Sequence, residues 1–560
     1  MHIEYPFFIG FAVKAMLKGA KCLSMASILS ILLLGSWLEA ATSKPNVLVV
    51  LMDDYGVGQF GPLAKELKRT QLDPDFLAYS AQLEAPYDYD PQVALEAAQR
   101  ATPFMDTLTG QGVLFSSAFS ASNLCAPSRQ GILTGTNPTR WGVYRNIDIN
   151  AFGMPEGRSL VTHFQDLGYH TGFIGKWHVG IRDHALRSEI REQGGSDEDV
   201  MRSGYLGSVR IQDHPLKHGF DYAFFYNRWE CPYYDYELIW ENFEYTGLQT
   251  QYNTDKFTDV TMSFIERSLD EGKPFFAELA LHSIHTPLDA DAPEKYTSYF
   301  DTGYSQIDRF YSHIYAVDQS VKRIVDKLKE RGEWENTILF FASDNGATSK
   351  VGKGDLSLIP GNGPFRGHKG QNYLGGIRVP LLMTWPDQIK ESIRIDQAVS
   401  LMDILPTALD AAVGELPDNV DGKSLLPILN GSETAHHEEL YFVGIHAAAW
   451  GFDEEKTLVN AQQNRDQWHG SWALVEGDYI LRYVGTLKPA LEIAYPDGRA
   501  PYYSLYNIKN DPLEQINLFN QHPELVESMR AKYDAYAETL PPPHGWDRSL
   551  WEELVPHPIK

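Results

Sequence analysis

Four apolar runs in this chain stop abruptly at groups that bind metals or move protons. "NVLVVLMDDYG" ends in Asp53 and Asp54, "HTGFIGKWHVG" in Lys176 and His178, "PFFAELALHSIHTP" in His282 and His285, and "TILFFASDNGA" in Asp344 and Asn345. Each run is short, rich in β-branched or aromatic residues and apolar on both faces, the pattern of a strand buried inside a parallel sheet. Helical patterns such as "SQIDRFYSHIYAVDQSVKRIVDKLKERG" separate them. Strands alternating with helices predict an α/β fold: a large doubly wound, mostly parallel sheet flanked by helices. In such sheets ligands sit outside the carboxyl ends of the strands, so the four polar endings should meet on one edge.

The pattern changes near His436. "EELYFVG", "SWALVEGDYILRYV" and "YYSLYNI" read as strands of a small antiparallel sheet, and "HPELVESMRAKYDAYAETL" as an amphipathic helix with proline in its first turn. The expected division is a leader at 1–41, a large domain at 42–435 and a smaller C-terminal α+β subdomain at 436–560. Two stretches of the large domain read as insertions. Residues 62–100, with the helical "DPQVALEAAQRA", are expected to form a lid or rim. Residues 221–247 are dense in aromatics and either stack sugar rings or fill the core of an insertion. "GKGDLSLIPGNGPFRGHKG" is glycine-rich but lacks the strand, glycine loop and helix order of a phosphate cradle.

Residues 1–41 carry the order of a secretory signal: Lys18 and Lys21, the apolar run "MASILSILLLGSWL", then Ala40 and Ala41. Met16 is an alternative start, and a retained N-terminal anchor an alternative fate, although the run is short for a bilayer. The mature protein is expected to be exported, periplasmic or secreted, with no stable membrane span after leader removal. A hydrophobic fraction of 43% and an aromatic fraction of 12% exclude a disordered or fibrous chain. The formal net charge of −26 argues against nucleic acid as a partner, but not against a small anion in a local basic pocket. Export also makes the cysteines informative. Cys22 belongs to the leader, which leaves Cys125 and Cys231, and one bridge between them would be no framework for so large a chain. Cys231, in "RWECPYYDY", reads as a buried thiol without chemistry.

Cys125 stands in "NLCAPSRQGILTG", between two apolar runs, and is expected on a lightly packed loop. Around it the polar endings divide by chemistry. Asp53, Asp54, Asp344 and Asn345 offer hard oxygen ligands that suit Ca²⁺ or Mg²⁺ rather than zinc. Lys176, His178, His285 and Lys369 offer donors for an oxyanion and groups that can titrate. A divalent cation beside basic side chains suits a multiply oxygenated anion such as sulfate or phosphate. One acidic pair after a strand is commonly a turn or helix cap. Four such endings with a cysteine loop point to a site.

These residues carry a resemblance. "CAPSR" followed by "GILTG" resembles the maturation signature of the formylglycine-dependent (type I) sulfatase family of the alkaline phosphatase superfamily. "NVLVVLMDD", "GYHTGFIGKWHVG", "HTPL", "SDNG" and "FRGHKGQNYLGGIRVPLLMTWP" stand in the order expected of that family. "YYSLYNIKNDPLEQINLFNQHPELVESM" is similar to its C-terminal segment, so the likeness runs from Pro45 to the end. The resemblance implies that a formylglycine-generating maturation enzyme oxidises Cys125 to Cα-formylglycine. One hydroxyl of its hydrate would attack sulfur, and loss of a proton from the other would expel sulfate. It implies one Ca²⁺ per chain, held by Asp53, Asp54, Asp344, Asn345 and the oxygen of residue 125.

The remaining roles are implied in the same way. Arg129 would stabilise the diol, and Ser128 would belong to the maturation signal. Lys176 and Lys369 would grip sulfate oxygens as movable point charges. His178 would take the proton from the second hydroxyl, and His285 would be the acid at the leaving oxygen, alone or shared with Lys369. His282 reads as a structural histidine or a substrate contact, and His368 as a surface or substrate-contact residue. One departure stands out: Tyr373-Leu374-Gly375-Gly376 occupies a place where the family often reads Tyr-Glu-Gly-Gly. The implied activity is hydrolysis of sulfate esters on a sulfated polysaccharide or oligosaccharide such as an algal glycan. A phosphoesterase or phosphonate monoester hydrolase of the same superfamily, and a catalytically silent carbohydrate-binding relative, are the alternatives.

Overall fold

The structure, a computed structural model, describes residues 44–542 except 86–87, 147, 150–152, 181–189, 197–198, 200–204, 207–208, 238, 289, 349–360, 430, 432–434, 446–469 and 485–502. The leader, its alternative start and Cys22 lie outside the described residues, as does most of the glycine-rich stretch before Gly361. Among the described residues no helix is long and apolar enough to cross a membrane.

Ten strands form the main sheet. In chain order they are β1 (Asn46–Met52), β2 (Val113–Phe115), β3 (His170–Lys176), β4 (Tyr222–Tyr226), β5 (Trp240–Glu241), β6 (Glu244–Tyr245), β7 (Phe275–Ala280), β8 (Thr337–Ser343), β9 (Leu381–Thr384) and β10 (Ile393–Ile395). Across the sheet they run β10-β2-β9-β8-β1-β7-β3-β4-β5-β6. The central strands β8, β1, β7, β3 and β4 are parallel, and antiparallel pairs lie toward the edges. The predicted mostly parallel sheet is therefore present. Its four strands with polar endings, β8-β1-β7-β3, are consecutive neighbours, so all four endings leave the sheet on one edge.

Alternation along β1 separates two cores. Leu48, Val50 and Met52 face one, and Val47, Val49 and Leu51 face the other. Helices α1 (Pro91–Arg100), α4 (Asn253–Asp270) and α5 (Ser305–Glu330) cover the first face, while α2 (Cys125–Thr134), α3 (Val161–Asp166) and α6 (Ile404–Ala411) cover the second. On α5 the buried residues Ile307, Phe310, Ile314, Val317, Val321, Ile324 and Leu328 recur every three or four positions, a continuous apolar stripe. Burying each such side chain contributes about 1.5–3 kcal/mol.

Both predicted insertions join these cores. Asp90 caps α1 by accepting from Gln92 N at 2.8 Å, and Ala94, Leu95, Ala97 and Ala98 pack into the first core. The same stretch reaches the loop of Lys369, where Gly367 N donates to Asp73 Oδ2 at 3.2 Å. Of the aromatic stretch, Tyr222, Phe224, Tyr226, Tyr233 and Tyr236 enter the first core, and Phe225 and Trp240 the second. Core filling is the dominant use of these rings.

The C-terminal strands β11 (Glu439–Ile445), β12 (Gly470–Glu476), β13 (Tyr479–Val484) and β14 (Tyr503–Asn507) form an antiparallel sheet in sequence order. "SWALVEGDYILRYV" thus folds as two strands, joined at Gly477 with φ 55°. One face, with Phe442, Ala473, Val475, Ile480 and Tyr506, belongs to the first core. The other, with Trp472, Leu474, Leu481 and Leu505, packs on α7 (Pro523–Glu538), where the rings of Trp472 and Tyr533 stack at 3.8 Å. Pro45–Lys560 form one compact unit. The small sheet shares a core with the large domain, which matters for the site below.

Candidate active site

The strand ends are tied to one another before any side chain is considered. Asp53 N donates to Ser283 O at 3.0 Å, Ile284 N to Asp53 O at 2.9 Å, and Asp344 N to Met52 O at 3.1 Å. Gly175, with φ 112°, lets β3 lie close to β7 just before Lys176; a Cβ there would stand 1.9 Å from Ala280 O. Asp54 adopts φ 60°, a conformation that aspartate tolerates better than most residues.

Asp54 is the hub. Its Oδ1 accepts from Asn345 Nδ2 at 2.9 Å and meets Lys369 Nζ at 2.6 Å, and Cys125 Sγ lies 3.9 Å from the same oxygen. Its Oδ2 lies 3.7 Å from His285 Nε2, and its backbone N–H donates to Asp344 Oδ1 at 3.3 Å. Asp53 forms a fully buried ion pair with Lys176. Arg129 bridges the carboxylates: Nε and NH2 reach Asp344 Oδ2 at 2.9 and 2.8 Å, NH2 lies 3.8 Å from Asp53, and NH1 donates to Lys176 O at 2.9 Å. His178 follows on the same strand end, buried with φ 58°. Apart from His178, which is placed only by its strand end, the residues expected at one site from separate segments are thus together.

Cys125 corrects one expectation. It is not on a lightly packed loop but is the first residue of α2, only 1% exposed. Pro127, the third residue of the helix, is tolerated there, since the first turn leaves N–H groups unpaired and loses nothing to proline. Ser128 Oγ accepts from Ala121 N at 3.2 Å and so fixes the chain entering that turn. Burial pushes the Cys125 thiol up, although Lys369 and Lys176 pull the other way. An unmodified thiol in this place stays protonated and is a poor nucleophile. Cys125 and Cys231 are both free thiols, with no bridge between them.

Neighbouring charges oppose burial at Asp53 and Lys369 and reinforce it at Asp344 and His285. Burial disfavours ionised Asp53, yet Lys176, His285, Arg129 and Lys369 hold its carboxyl well below the usual range. Burial, reinforced by Asp53, raises Asp344 in spite of Arg129. Burial works against the Lys369 ammonium, but Asp54 raises it well above the ordinary lysine value. Burial and Lys176 lower His285, whose Nδ1 donates to Thr286 O at 2.8 Å and leaves Nε2 facing the hub. His282 is accounted for structurally: Nδ1 meets Tyr226 OH at 3.2 Å and Nε2 accepts from Cys231 N at 3.5 Å. His368 Nδ1 donates to Lys369 O at 2.8 Å, a local loop contact.

Two clusters among the described residues have the composition of a metal site: Asp53, Asp54, Cys125 and His285, and separately Asp403, His436 and His437. Their hydrogen bonding distinguishes them. In the first, Asp53 Oδ1 and the neighbouring Asn345 Oδ1 are buried without a partner. Unpaired buried oxygens are costly, and a hard cation satisfies several at once. The residues fit Ca²⁺. In the second, Asp403 accepts from Ser400 N, Lys423 N and His437 Nε2, each at 2.8 Å, and from His436 Nε2 at 3.2 Å. That carboxylate is fully used as a cap.

Several residues at the site escaped sequence reasoning. Asn123 Nδ2 donates to Asn372 Oδ1 at 2.7 Å, and the carbonyl of Asn123 accepts from Gly370 N at 2.9 Å. Trp229, half-buried, sets its ring 6.2 Å from that of His285. Glu278, inside β7, is a carboxyl that burial pushes up to about 7 against the pull of Arg129. Arg482 and Glu514 reach the loop of Lys369 from the C-terminal sheet and the turn after it. Trp229 had a signal in the aromatic stretch 221–247 and Glu514 in the quoted "NDPLEQINL"; the strand and loop patterns around the others pointed to no role at the site.

The chain matches known proteins over most of its length. The model of the family described as Sulfatase matches residues 45–415. The chain is 31% identical over 513 residues to the uncharacterized sulfatase YdeN of Escherichia coli (strain K12), covering 89% of this chain and 86% of that one. It is 28% identical to the N-acetylgalactosamine-6-sulfatase of Canis lupus familiaris, covering 72% of this chain and 69% of that one. Among solved structures, Ps i-CgsB in complex with k-i-k-neocarrahexaose superposes with a TM-score of 0.65 at 22% identity, covering 91% of this chain and 97% of that one. That last likeness speaks for the fold.

Proposed function

The chain belongs to the sulfatase family, and we propose that it is an exported enzyme that removes sulfate from carbohydrates with formylglycine at position 125 and one bound Ca²⁺. One observation carries the reading. Cys125, the carboxylates of Asp53, Asp54 and Asp344, and the cations of Arg129, Lys176 and Lys369 enclose one buried point at the strand edge. With all three carboxylates ionised, as a bound divalent cation would favour, they balance the three cations and the ion would leave the site positive by two charges. An anion is what such a site binds, despite the −26 of the whole chain.

As a hydrated aldehyde, residue 125 would supply one hydroxyl to displace the alcohol from sulfur and a second whose deprotonation releases sulfate. Asp53, Asp54, Asp344 and Asn345 would hold Ca²⁺, which would supply Lewis-acid polarisation of the bound anion. The other side chains have separate tasks. Arg129 pairs with Asp344, opposing the burial that raises its carboxyl, and fixes the end of β3 through the Lys176 carbonyl. Lys176 and Lys369 bind sulfate oxygens. His178 accepts the proton of the second hydroxyl. His285, with Nδ1 held by Thr286, gives a proton from Nε2 to the leaving oxygen when the ring is protonated.

A carbohydrate leaving group is supported by the relative named N-acetylgalactosamine-6-sulfatase and by Trp229, a flat apolar ring beside His285. Export is supported by the leader pattern of residues 1–41 and is tested by cell fractionation and N-terminal sequencing. The activity is tested by sulfate release from defined sulfated oligosaccharides, run beside an aryl sulfate and an aryl phosphate. Faster cleavage of the phosphate would replace this reading with the phosphoesterase one. Mass spectrometry checks the maturation enzyme's product, since conversion lowers the mass of the Cys125 peptide by about 18 Da. An unconverted peptide from an inactive native preparation would favour a silent carbohydrate binder.

His285→Ala is expected to slow alkyl and sugar sulfates by about 10²–10⁴-fold, the usual range for a positioned acid. An aryl sulfate with a good leaving group should lose much less. Equal losses on both classes would remove His285 from the acid role.

A further inference from the structure

The small C-terminal sheet does more than share a core with the large domain. Arg482 on β13 and Glu514 in the turn after β14 form an ion pair in which both side chains are buried, at 1% and 0% exposure. Taking two charges out of water is costly, and further hydrogen bonds from the remaining donors and acceptors offset part of that cost. Here those bonds go to one segment. Arg482 Nε donates to Asn372 O at 2.9 Å, and Glu514 Oε2 accepts from Leu374 N at 3.0 Å. Between these two anchor points lies Tyr373, with the Arg482 guanidinium 3.9 Å from its ring centroid and that of Arg366 4.8 Å from it.

The clamped segment is the one that carries Lys369. Asn372 Nδ2 donates to Ser471 Oγ on β12 at 2.9 Å, while its Oδ1 accepts from Asn123, two residues before Cys125. Gly370 N donates to Asn123 O, and Lys369 N to Ala347 O at 3.0 Å. The ammonium of Lys369 then projects to Asp54. A continuous set of bonds therefore links the buried pair to the lysine and to the turn that starts α2.

We propose that Arg482 and Glu514 are positioning residues that fix the loop 369–374, and through it the place where Lys369 meets the bound anion. Their hydrogen bonds go to that loop and to each other, not to the groups around Asp54. The inference rests on the reading of Lys369 as an anion contact given above. A planar, bidentate-capable guanidinium is the group needed, because it holds a carboxylate, a carbonyl and a ring face at once. The small sheet is thereby part of the catalytic apparatus rather than a passive wall.

The test uses the mature, full-length protein. Glu514→Gln keeps the acceptor for Leu374 N and removes the charge. Arg482→Lys keeps the charge opposite Glu514 but loses the Nε bond and the planar stack, and it serves if the first variant folds poorly. Hydrolysis of an aryl sulfate is followed with inhibition by inorganic sulfate, and rates are corrected for formylglycine content by mass spectrometry. The expected result is that KM and the inhibition constant for sulfate rise together by about tenfold, within the range for residues that orient a functional group. In a Lys369→Ala background, Glu514→Gln should add little to either constant, because the group being positioned is gone. Loss of activity with KM and the sulfate constant unchanged reports only fewer folded molecules and overturns the proposal, as does full additivity with Lys369→Ala. If the unmutated protein neither cleaves aryl sulfate nor is inhibited by sulfate, the anion role of Lys369 fails first and the positioning role falls with it.

Discussion

Replacing Cys125 with alanine is expected to lower turnover of an aryl sulfate by at least about 10⁵-fold, the scale on which loss of a covalent nucleophile is felt. The fold should survive. Residue 125 is buried, yet it opens α2, where alanine is a good helix former, and what is lost is one sulfur near Asp54. A cost of about 1–2 kcal/mol is the ordinary range for such a deletion, and thermal unfolding with circular dichroism measures it. Cys125→Ser, made in a host without serine-type maturation, separates attack from release. A serine hydroxyl can accept sulfate but has no second hydroxyl whose deprotonation would expel it, so at most one equivalent of alcohol should appear. The trapped peptide would gain about 80 Da. Steady desulfation by the alanine variant would take residue 125 out of the chemistry altogether.

The sheet and the site were legible to different depths, for a physical reason. Strand ends announce themselves because an apolar run cannot continue into Asp53-Asp54, Lys176 or Asp344 without a change of environment, and a parallel sheet forces those changes onto one edge. The convergence around Asp54 followed from that rule. What did not follow was anything set by packing across distant segments. The start of α2 at Cys125 depends on how Leu124 and Ala121 enter the turn, which the string "NLCAPSR" does not specify. The aromatic stretch 221–247 reads alike as platform or core, and only the alternation of its rings between the two faces of the sheet decides that most are core and Trp229 is not. Arg482 lies in a strand whose pattern shows only that its neighbours are apolar. Its partner Glu514 is 32 positions away, and periodicity carries no information at that range.

Asp54→Asn is expected to be the second most damaging change, and its readout is metal as much as rate. Asparagine tolerates the left-handed backbone at φ 60°, so the turn should keep its shape. The amide can still accept from Asn345 through its oxygen, which preserves that contact in kind. What disappears is the charge that faces Lys369 and helps to hold the cation. Four oxygen-bearing side chains, those of Asp53, Asp54, Asp344 and Asn345, would then bring two carboxylates instead of three to a divalent ion, with Lys176, Lys369 and Arg129 close by. The lysine and arginine charges would outweigh the remaining acids, and Ca²⁺ would be repelled. Metal analysis should fall from the one Ca²⁺ per chain proposed for the unmutated protein to a small fraction. Removing several kcal/mol of transition-state stabilisation corresponds to a loss of about 10³-fold in kcat/KM, partly recovered at millimolar Ca²⁺. Prolonged dialysis of the unmutated protein against a chelator should reproduce the loss reversibly. Full metal content with full activity in Asp54→Asn would break the link between the hub carboxylate and the cation, and with it the account of why an acidic protein gathers three cations around three buried aspartates.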